Sequence, residues 1–205
     1  MKTSALRLAS ALAVLAAACA TFDLVEVWHD PRPATPARRA LVVAAIPDDA
    51  CRAAFENAMA RALAASGLAA STAGAAFPRG PLDREEAASY LVQEGIDLVV
   101  VLRLARETRG FVPSRSLYVP PAPYFGGWYG TYAYGYGAAA STGSLADATP
   151  VLAEANAYAT GAGLGRLVWS GSSSTFLYRS ASASAPRVAA AVASDLAKAG
   201  FLVHR

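Results

Sequence analysis

The sequence predicts a single α/β domain, with α+β as the alternative, in which helices pack on a mixed β-sheet. Two apolar runs, at residues 40–46 and 96–104, have the composition of strands that are covered on both faces. Amphipathic helix patterns lie between the two runs, and a hairpin pattern followed by a further helix closes the chain. Strands that alternate with helices are typical of α/β domains. The predicted order is therefore β-α-β-α-β, a loop, and then β-β-α with a short terminal strand.

The first eighteen residues have the anatomy of a secretory signal peptide. Lys2 and Arg7 give a basic start, and residues 8–18 form an apolar run that ends directly before Cys19. The run is too short to span a bilayer, which takes roughly 20 apolar residues. The three alanines before the cysteine predict lipid attachment at Cys19, and the alternative is an ordinary cleaved signal peptide with this cysteine merely nearby.

Residues 19–39 are predicted to be a lipid-anchored tether, and residues 40–205 the folded domain. Three prolines between residues 31 and 36, together with the lack of a sustained apolar period, are typical of a linker. Residues 22–28 are the exception, because their alternation fits a short edge strand or a segment that lies on the domain. The remaining length of about 185 residues is enough for one domain with a real core.

Two helices are predicted in the first half of the domain. The first follows the strand at 40–46 and has an apolar stripe of Phe55, Met59 and Leu63, spaced by four residues. A short strand is predicted at 68–72, before the second helix. Each helix has a capping aspartate at its start and a glycine at its end: Asp48 or Asp49 with Gly67 for the first, and Asp83, three residues before Glu86, with Gly95 for the second.

The second half is predicted to contain an antiparallel hairpin and a closing helix. Residues 151–158 and 166–170 alternate as strands do, and we expect Trp169 to pack in the core with its N–H bonded to a partner. The closing helix is predicted to start at Ser184 or Ala185, with Pro186 in its first turn, and a short terminal edge strand is predicted at 201–203. Its apolar stripe is Val188, Val192 and Leu196, and its stop is Gly200.

Residues 110–144 interrupt this pattern as a Tyr/Gly/Pro-rich insertion. They hold six of the nine tyrosines, seven glycines and four prolines. Because glycine loses more conformational freedom on ordering than other residues, we expect no single regular structure here. The segment is either an aromatic recognition loop or a low-complexity excursion that partly collapses on its own domain. The candidate binding residues are Tyr118, Tyr124, Trp128, Tyr129, Tyr132, Tyr134 and Tyr136.

Composition argues against several function classes. Without residues 1–18 the chain has sixteen basic and fifteen acidic residues, a net charge of +1, so there is no electrostatic case for nucleic acid. Two histidines cannot form a recognisable set of metal ligands. No cofactor is expected either, because the glycines at 161–165 join two strands and do not open the helix that a dinucleotide-binding loop requires. Cys51 is expected to be a small buried hydrophobe, with pairing to another chain as the alternative.

No residue set supports catalysis, so we expect a non-enzymatic protein with no catalytic residue. The serines at 172–174 lack the strand-to-helix turn that exposes a nucleophile. General acid or base work needs carboxylates placed in a cleft, whereas the acidic residues here fit a helix cap, solvated helix positions and a strand face. These residues are Asp83, Glu85, Glu86 and Glu154.

Four features in order resemble the small, uncharacterised lipoproteins of proteobacteria. They are the lipid box at Cys19, the Tyr/Gly/Pro-rich middle, the sequence Glu-Ala-Asn-Ala-Tyr at 154–158 followed by Gly-Arg-Leu-Val-Trp-Ser at 165–170, and the closing helix. The element order also looks like the three-layer α/β domains of periplasmic assembly lipoproteins and of the N-terminal domain of Tol-Pal-type translocation proteins. Ala155 and Ala157 depart from the larger residues that such hairpins usually carry.

The resemblance implies three acyl chains on the cysteine, sorting to the outer membrane because Ala20 and not Asp follows it, and binding to other envelope proteins. The sequence therefore predicts a lipid-anchored, non-enzymatic protein that faces the periplasm and binds another envelope protein. The alternative is a cell-wall module that binds peptidoglycan by stacking its aromatic rings on sugars.

Overall fold

The structure, a computed structural model, describes residues 24–33, 35–78, 83–106, 120–141, 146–161 and 165–202. The predicted signal peptide, Cys19 and Tyr118 lie outside these residues. Within them the chain forms one mixed sheet with helices on both faces, as the sequence predicts. No helix among the described residues is both long and apolar enough to span a bilayer.

Seven strands form the sheet, and β2, β3 and β4 are parallel while the remaining pairings are antiparallel. The order across the sheet is β1-β6-β5-β4-β2-β3, with β7 paired to β5. The strands are β1 (Leu24–His29), β2 (Arg39–Ala45), β3 (Ala69–Thr72), β4 (Leu98–Arg106), β5 (Pro150–Ala159), β6 (Arg166–Ser173) and β7 (Phe176–Leu177).

Five α-helices and two short 3-10 helices are described. The α-helices are α1 (Asp49–Ala65), α2 (Ala73–Ala76), α3 (Arg84–Gln93), α4 (Trp128–Ser141) and α5 (Ala181–Lys198). The 3-10 helices are Ala122–Gly126, directly before α4, and Tyr178–Ser180, directly before α5.

The two apolar runs form the parallel centre of the sheet. β4 lies between β5 and β2, and Val99, Val100 and Val101 are buried although they point alternately to the two faces. One face carries α1 and α5, whose predicted stripes, including Phe55 and Val192, join one core cluster. The other face carries α3 and α4, which bury the opposite side chains of the same strands.

The predicted helix ends are confirmed at the first two long helices. The Asp48 carboxylate accepts the Cys51 N–H at 2.7 Å, and the Asp83 carboxylate accepts the Glu86 N–H at 2.9 Å. Gly67 and Gly95 follow α1 and α3 with φ of +88° and +60°, a backbone conformation that glycine adopts without strain. Local residue choice therefore fixes both boundaries.

Three predicted boundaries are corrected. Leu24–His29 pairs with β6 at the edge of the sheet, which confirms the edge-strand alternative for the described part of residues 22–28 and extends the fold into the segment assigned to the tether. Helix α5 begins at Ala181, so Pro186 lies inside it and not in its first turn; the buried Ala181 and Ala185 extend the apolar stripe upstream. Of the predicted terminal strand at 201–203, the described residues form one bridge, between Leu202 and Ala37, and residue 203 lies outside them.

Candidate functional site

The described part of the aromatic insertion is a 3-10 turn followed by the helix α4. This corrects the expectation that glycine prevents regular structure in this segment. Tyr124 and Trp128 are 0% and 2% exposed and lie in the core cluster on the α3/α4 face of the sheet. Burying a large aromatic side chain stabilises by about 1.5–3 kcal/mol. Such burial offsets a glycine cost of roughly 1 kcal/mol per helical position, so tertiary packing decides the structure.

One glycine of α4 allows the close approach of the helix to the sheet. A Cβ built on Gly135 would lie 3.0 Å from the Ala45 Cβ on β2 and 3.4 Å from the Arg103 Cδ on β4. By contrast, a Cβ on Gly130 or Gly137 would meet no described atom within 4 Å. The glycines of α4 are therefore not equivalent: Gly135 faces the sheet, and the other two face open space.

The candidate binding residues fall into two sets. Tyr124, Trp128 and Tyr132 are buried and hold the segment to the sheet. Tyr134 is 45% exposed on one flank of α4, and Tyr129 and Tyr136 are half-buried on the opposite flank; these three rings are called the outer surface of α4. Sequence alone could not separate the structural members of this aromatic cluster from its surface members.

The aromatic rings of α4 form a continuous series. Trp128 contacts Tyr129 edge-on at 5.6 Å between ring centroids, Tyr129 lies 6.1 Å from Tyr132, and Tyr132 lies 5.8 Å from Tyr136. Spacings of 4.5–7 Å are those of favourable aromatic pairs. The half-buried rings are thus held by buried ones, which makes the outer surface of α4 pre-organised.

Beneath the 3-10 turn, a charged pair on the sheet is joined to Tyr124. Arg103 and Glu154 face each other across β4 and β5, and the Arg103 Nε lies 2.6 Å from a Glu154 oxygen and 2.8 Å from the Tyr124 hydroxyl oxygen. The Tyr124 hydroxyl donates to Glu154, and the guanidinium also lies 5.3 Å from the centre of the Tyr134 ring. The charged pair and both rings therefore form one compact unit.

The charges of this unit perturb its own pKa values. Burial and the Glu154 carboxylate both raise the pKa of Tyr124 well above its usual range. Burial alone would lower the pKa of Arg103, but the interactions with Glu154 and Tyr124 together outweigh burial and the pKa is raised. Tyr124 is therefore a neutral hydrogen-bond donor and Arg103 a fixed cation at physiological pH.

Sequence reasoning missed Arg103, although a signal was present. It is an arginine directly after five consecutive apolar residues at 98–102, and Glu154 is the only acid of the predicted strand at 151–158. A buried charge needs a partner. Glu154 was interpreted as a position on a strand face, which is correct, but its partner across the sheet depends on the strand register and not on local sequence.

A second polar group lies further along β5. The Tyr158 hydroxyl is 2.5 Å from the Thr131 Oγ1 on α4 and donates to the Tyr124 carbonyl at 3.1 Å, which joins helix, turn and strand. Between Glu154 and Tyr158, the Asn156 amide is 1% exposed and makes no hydrogen bond within the described part of the chain. The layer between α4 and the sheet is thus polar at its centre.

A groove lies beside α4 at the carboxyl ends of β2 and β3. Its volume is about 250 Å³, and its walls are aromatic on one side and charged on the other. β2 lies between β3 and β4, the two strands that follow it in the chain, so the strand order reverses at β2. Open α/β sheets bind ligands at such a topological switch point. The groove is lined by residues that include Asp49, Arg52, Glu56, Phe77, Tyr132 and Tyr136.

Glu56 on α1 forms the floor of this groove. Its side chain accepts the Ala44 N–H at 3.0 Å and the Gly74 N–H at 2.9 Å, so both oxygens are engaged by backbone. Burial raises the pKa of Glu56, and the two backbone bonds act in the opposite direction. The carboxylate braces α1 against β2 and α2. Among the described residues, no group of three or more metal-ligating side chains is found.

Two residues singled out from sequence behave as predicted. Cys51 is a free, buried thiol whose pKa is raised by burial. Trp169 is fully buried and its indole N–H donates to Asp195 at 2.7 Å, so it is structural as expected. The acidic residues of α3 also match their interpretation, with Asp83 as the cap and Glu85 and Glu86 in the first turn.

No protein-family model and no curated protein sequence matches the chain. Among solved structures, it is similar to a single-substitution variant of the PelC dodecamer from Paraburkholderia phytofirmans. The two sequences are 17% identical, the match covers 83% of this chain and 98% of that chain, and the TM-score is 0.44. It is also similar to a second PelC dodecamer from the same organism, with 15% identity, coverage of 88% and 99%, and a TM-score of 0.44.

Proposed function

We propose that the protein is a lipid-anchored, non-enzymatic binding domain on the periplasmic face of the outer membrane. Its partner is another envelope protein, which it binds through the outer surface of α4. The observation that carries the binding site is that Tyr134 is 45% exposed on a helix whose buried aromatics hold it rigidly to the sheet. Rigid aromatic side chains are enriched where binding energy is concentrated in protein interfaces.

The proposed membrane attachment has its support in the sequence. The basic start, the apolar run at 8–18 and Cys19 together have the form of a lipoprotein leader. Mass spectrometry of the mature protein tests this part: a diacylglyceryl group on Cys19 is expected, and an unmodified N-terminus at another residue would contradict it.

The binding surface can be tested by crosslinking in cells. A photoreactive amino acid placed at Tyr134 should give one adduct of discrete size, because a specific partner covers that position. The matched control is Val92, which is 83% exposed on α3 and lies outside the aromatic cluster. If photoreactive amino acids at Tyr134, Tyr129 and Tyr136 all give no adduct, the result counts against the proposal.

A second candidate, a cell-wall glycan, is favoured by the groove beside α4. Aromatic rings at Phe77 and Tyr136 and the charged pair of Asp49 and Arg52, 2.8 Å apart, offer both stacking faces and polar groups to a sugar. Sedimentation with purified peptidoglycan separates the two candidates. Retention that is lost on Tyr136→Ala and kept on Val92→Ala would favour glycan binding, and no retention of the unmodified protein would exclude it.

A further inference from the structure

Two arginines at the opposite edge of the sheet share one buried carboxylate. Asp30, directly after β1, has a side chain that is 3% exposed. Arg32 bonds to it through its backbone N–H at 3.0 Å, its Nε at 3.0 Å and its Nη2 at 2.8 Å. Arg166, at the start of β6, donates to the same carboxylate. The Arg32 hydrogen bond is the main cause that lowers the pKa of Asp30, so this carboxylate stays ionised.

Among the described residues, the cluster has one uncompensated positive charge. Two guanidinium groups face one carboxylate, while the Arg32 and Arg166 side chains are 63% and 37% exposed. The neighbouring charged groups do not cancel it, because Asp195 and Lys198 line a second, smaller cavity beside Arg32 and carry opposite charges. Asp195 also accepts the Trp169 indole N–H and lies 3.0 Å from the His29 Nε2.

An apolar cavity adjoins these guanidinium groups. Its volume is about 490 Å³, within the range of roughly 300–1,000 Å³ that small-ligand sites occupy. Trp28 and Phe125 form one wall, edge to face with 5.8 Å between ring centroids, and Phe125 is 52% exposed. Leu167 and Pro31 complete the apolar lining. The cavity thus places aromatic rings next to two guanidinium groups that carry one positive charge more than Asp30 neutralises.

We propose that this cavity binds a carboxylate whose neighbouring group is apolar and about the size of an aromatic ring. A guanidinium presents paired N–H donors that match the two oxygens of a carboxylate. Asp30 holds both arginines in place before the ligand arrives, which reduces the entropic cost of binding. The C-terminal residue of a peptide has this chemistry, and so does a free aromatic acid. The site lies at the β1–β6 edge and is independent of the surface on α4.

Calorimetric titration of the full chain, purified in a neutral detergent, tests the site with defined probes. N-acetylphenylalanine should bind, and its C-terminal amide should bind at least about tenfold more weakly, because the uncharged amide cannot form the charge-assisted hydrogen bonds that a carboxylate forms with arginine. Equal binding of acid and amide, or no binding of either at millimolar concentration, would overturn the proposal. Inorganic phosphate that binds as tightly as the acid would overturn the assignment to a carboxylate.

Variants locate the binding and guard against unfolding. Arg32→Gln should weaken binding of the acid about tenfold, whereas Arg39→Gln should not, since Arg39 is a similarly exposed, acid-paired arginine near the other edge. Phe125→Ala should weaken N-acetylphenylalanine and leave the weak binding of acetate unchanged. Losses that are equal for Arg32→Gln and Arg39→Gln would contradict the proposal, provided that thermal midpoints show both variants folded.

A longer probe separates the two sources of the carboxylate. An acetylated pentapeptide ending in phenylalanine should bind at least as tightly as the single residue if the natural ligand is a peptide C-terminus. Weaker binding of the pentapeptide assigns the cavity to a free aromatic acid. Failure of both probes overturns the carboxylate site while leaving the proposed surface on α4 untouched.

Discussion

Substituting the glycines of α4 by alanine should have opposite effects at two positions of the same helix. At Gly137 the added methyl group meets no described atom within 4 Å. Alanine is favoured over glycine in a helix by about 1 kcal/mol, so Gly137→Ala should stabilise the protein by up to that amount. The substitution therefore reports helix formation alone.

At Gly135 the same methyl group would lie 3.0 Å from the Ala45 Cβ, which is tighter than an ordinary carbon–carbon contact. Ala45 belongs to a central strand and cannot rotate away, so α4 or the sheet must shift. Overpacking of this kind costs typically 1–3 kcal/mol. After the helical gain of about 1 kcal/mol is subtracted, Gly135→Ala should be neutral or destabilising by up to about 2 kcal/mol, and clearly less stable than Gly137→Ala.

Urea unfolding of the two variants beside the parent protein measures these free energies. The slope of the transition should stay unchanged, so that the midpoint shift reports stability. Gly130→Ala serves as a second open-space control and should behave as Gly137→Ala does. If Gly135→Ala stabilises the protein as much as the two controls, α4 does not pack on β2 as described and the reasoning fails.

Three further outcomes are expected. Trp169→Ala should cost about 3–5 kcal/mol in urea unfolding, because the ring is fully buried, whereas a loss below about 1 kcal/mol would show an exposed ring. Burial raises the pKa of Glu56, so the folded protein gains stability when this carboxyl is protonated. That stability is complete below the ordinary glutamate pKa of about 4.3 and is lost as pH rises through the raised pKa. The free energy of unfolding of the parent, relative to that of Glu56→Gln, should therefore fall between these two pKa values, and a rise would contradict the reasoning. The pKa of Asp30 is lowered, so its contribution to the free energy of unfolding is present above the ordinary aspartate pKa of about 3.9 and is lost as pH falls through the lowered pKa. Asp30→Asn should therefore lower the free energy of unfolding at pH 7 and reduce its further loss at acid pH. If the dependence on acid pH is the same in the variant and the parent, Asp30 does not bind the two arginines as described.

The elements that local sequence specifies could be predicted. The apolar runs are the central strands, Asp48 and Asp83 cap their helices, and the spacing of Phe55 and Val192 places both on buried helix faces. These features depend on residues within one or two turns of each other. They need no knowledge of the rest of the chain.

Features that depend on distant partners could not be predicted. The burial of Trp169 was expected, but its partner Asp195 lies on a helix whose phase only the fold defines. Likewise, the pairing of Arg103 with Glu154 requires the register of β4 against β5. In α4 the glycine content argued against a helix, and burial of aromatic rings against the sheet outweighed that local preference.

Crosslinking from Tyr134 in cells, carried out with intact Cys19 and with Cys19→Ser, tests the proposed function most directly. With Cys19 intact we expect one discrete adduct in the membrane fraction. With Cys19→Ser the yield should fall roughly tenfold, because a tether raises the effective concentration of the domain beside a membrane-bound partner. The proposal would be contradicted if Tyr134 gave no adduct on the intact chain, or if Val92 gave the same one.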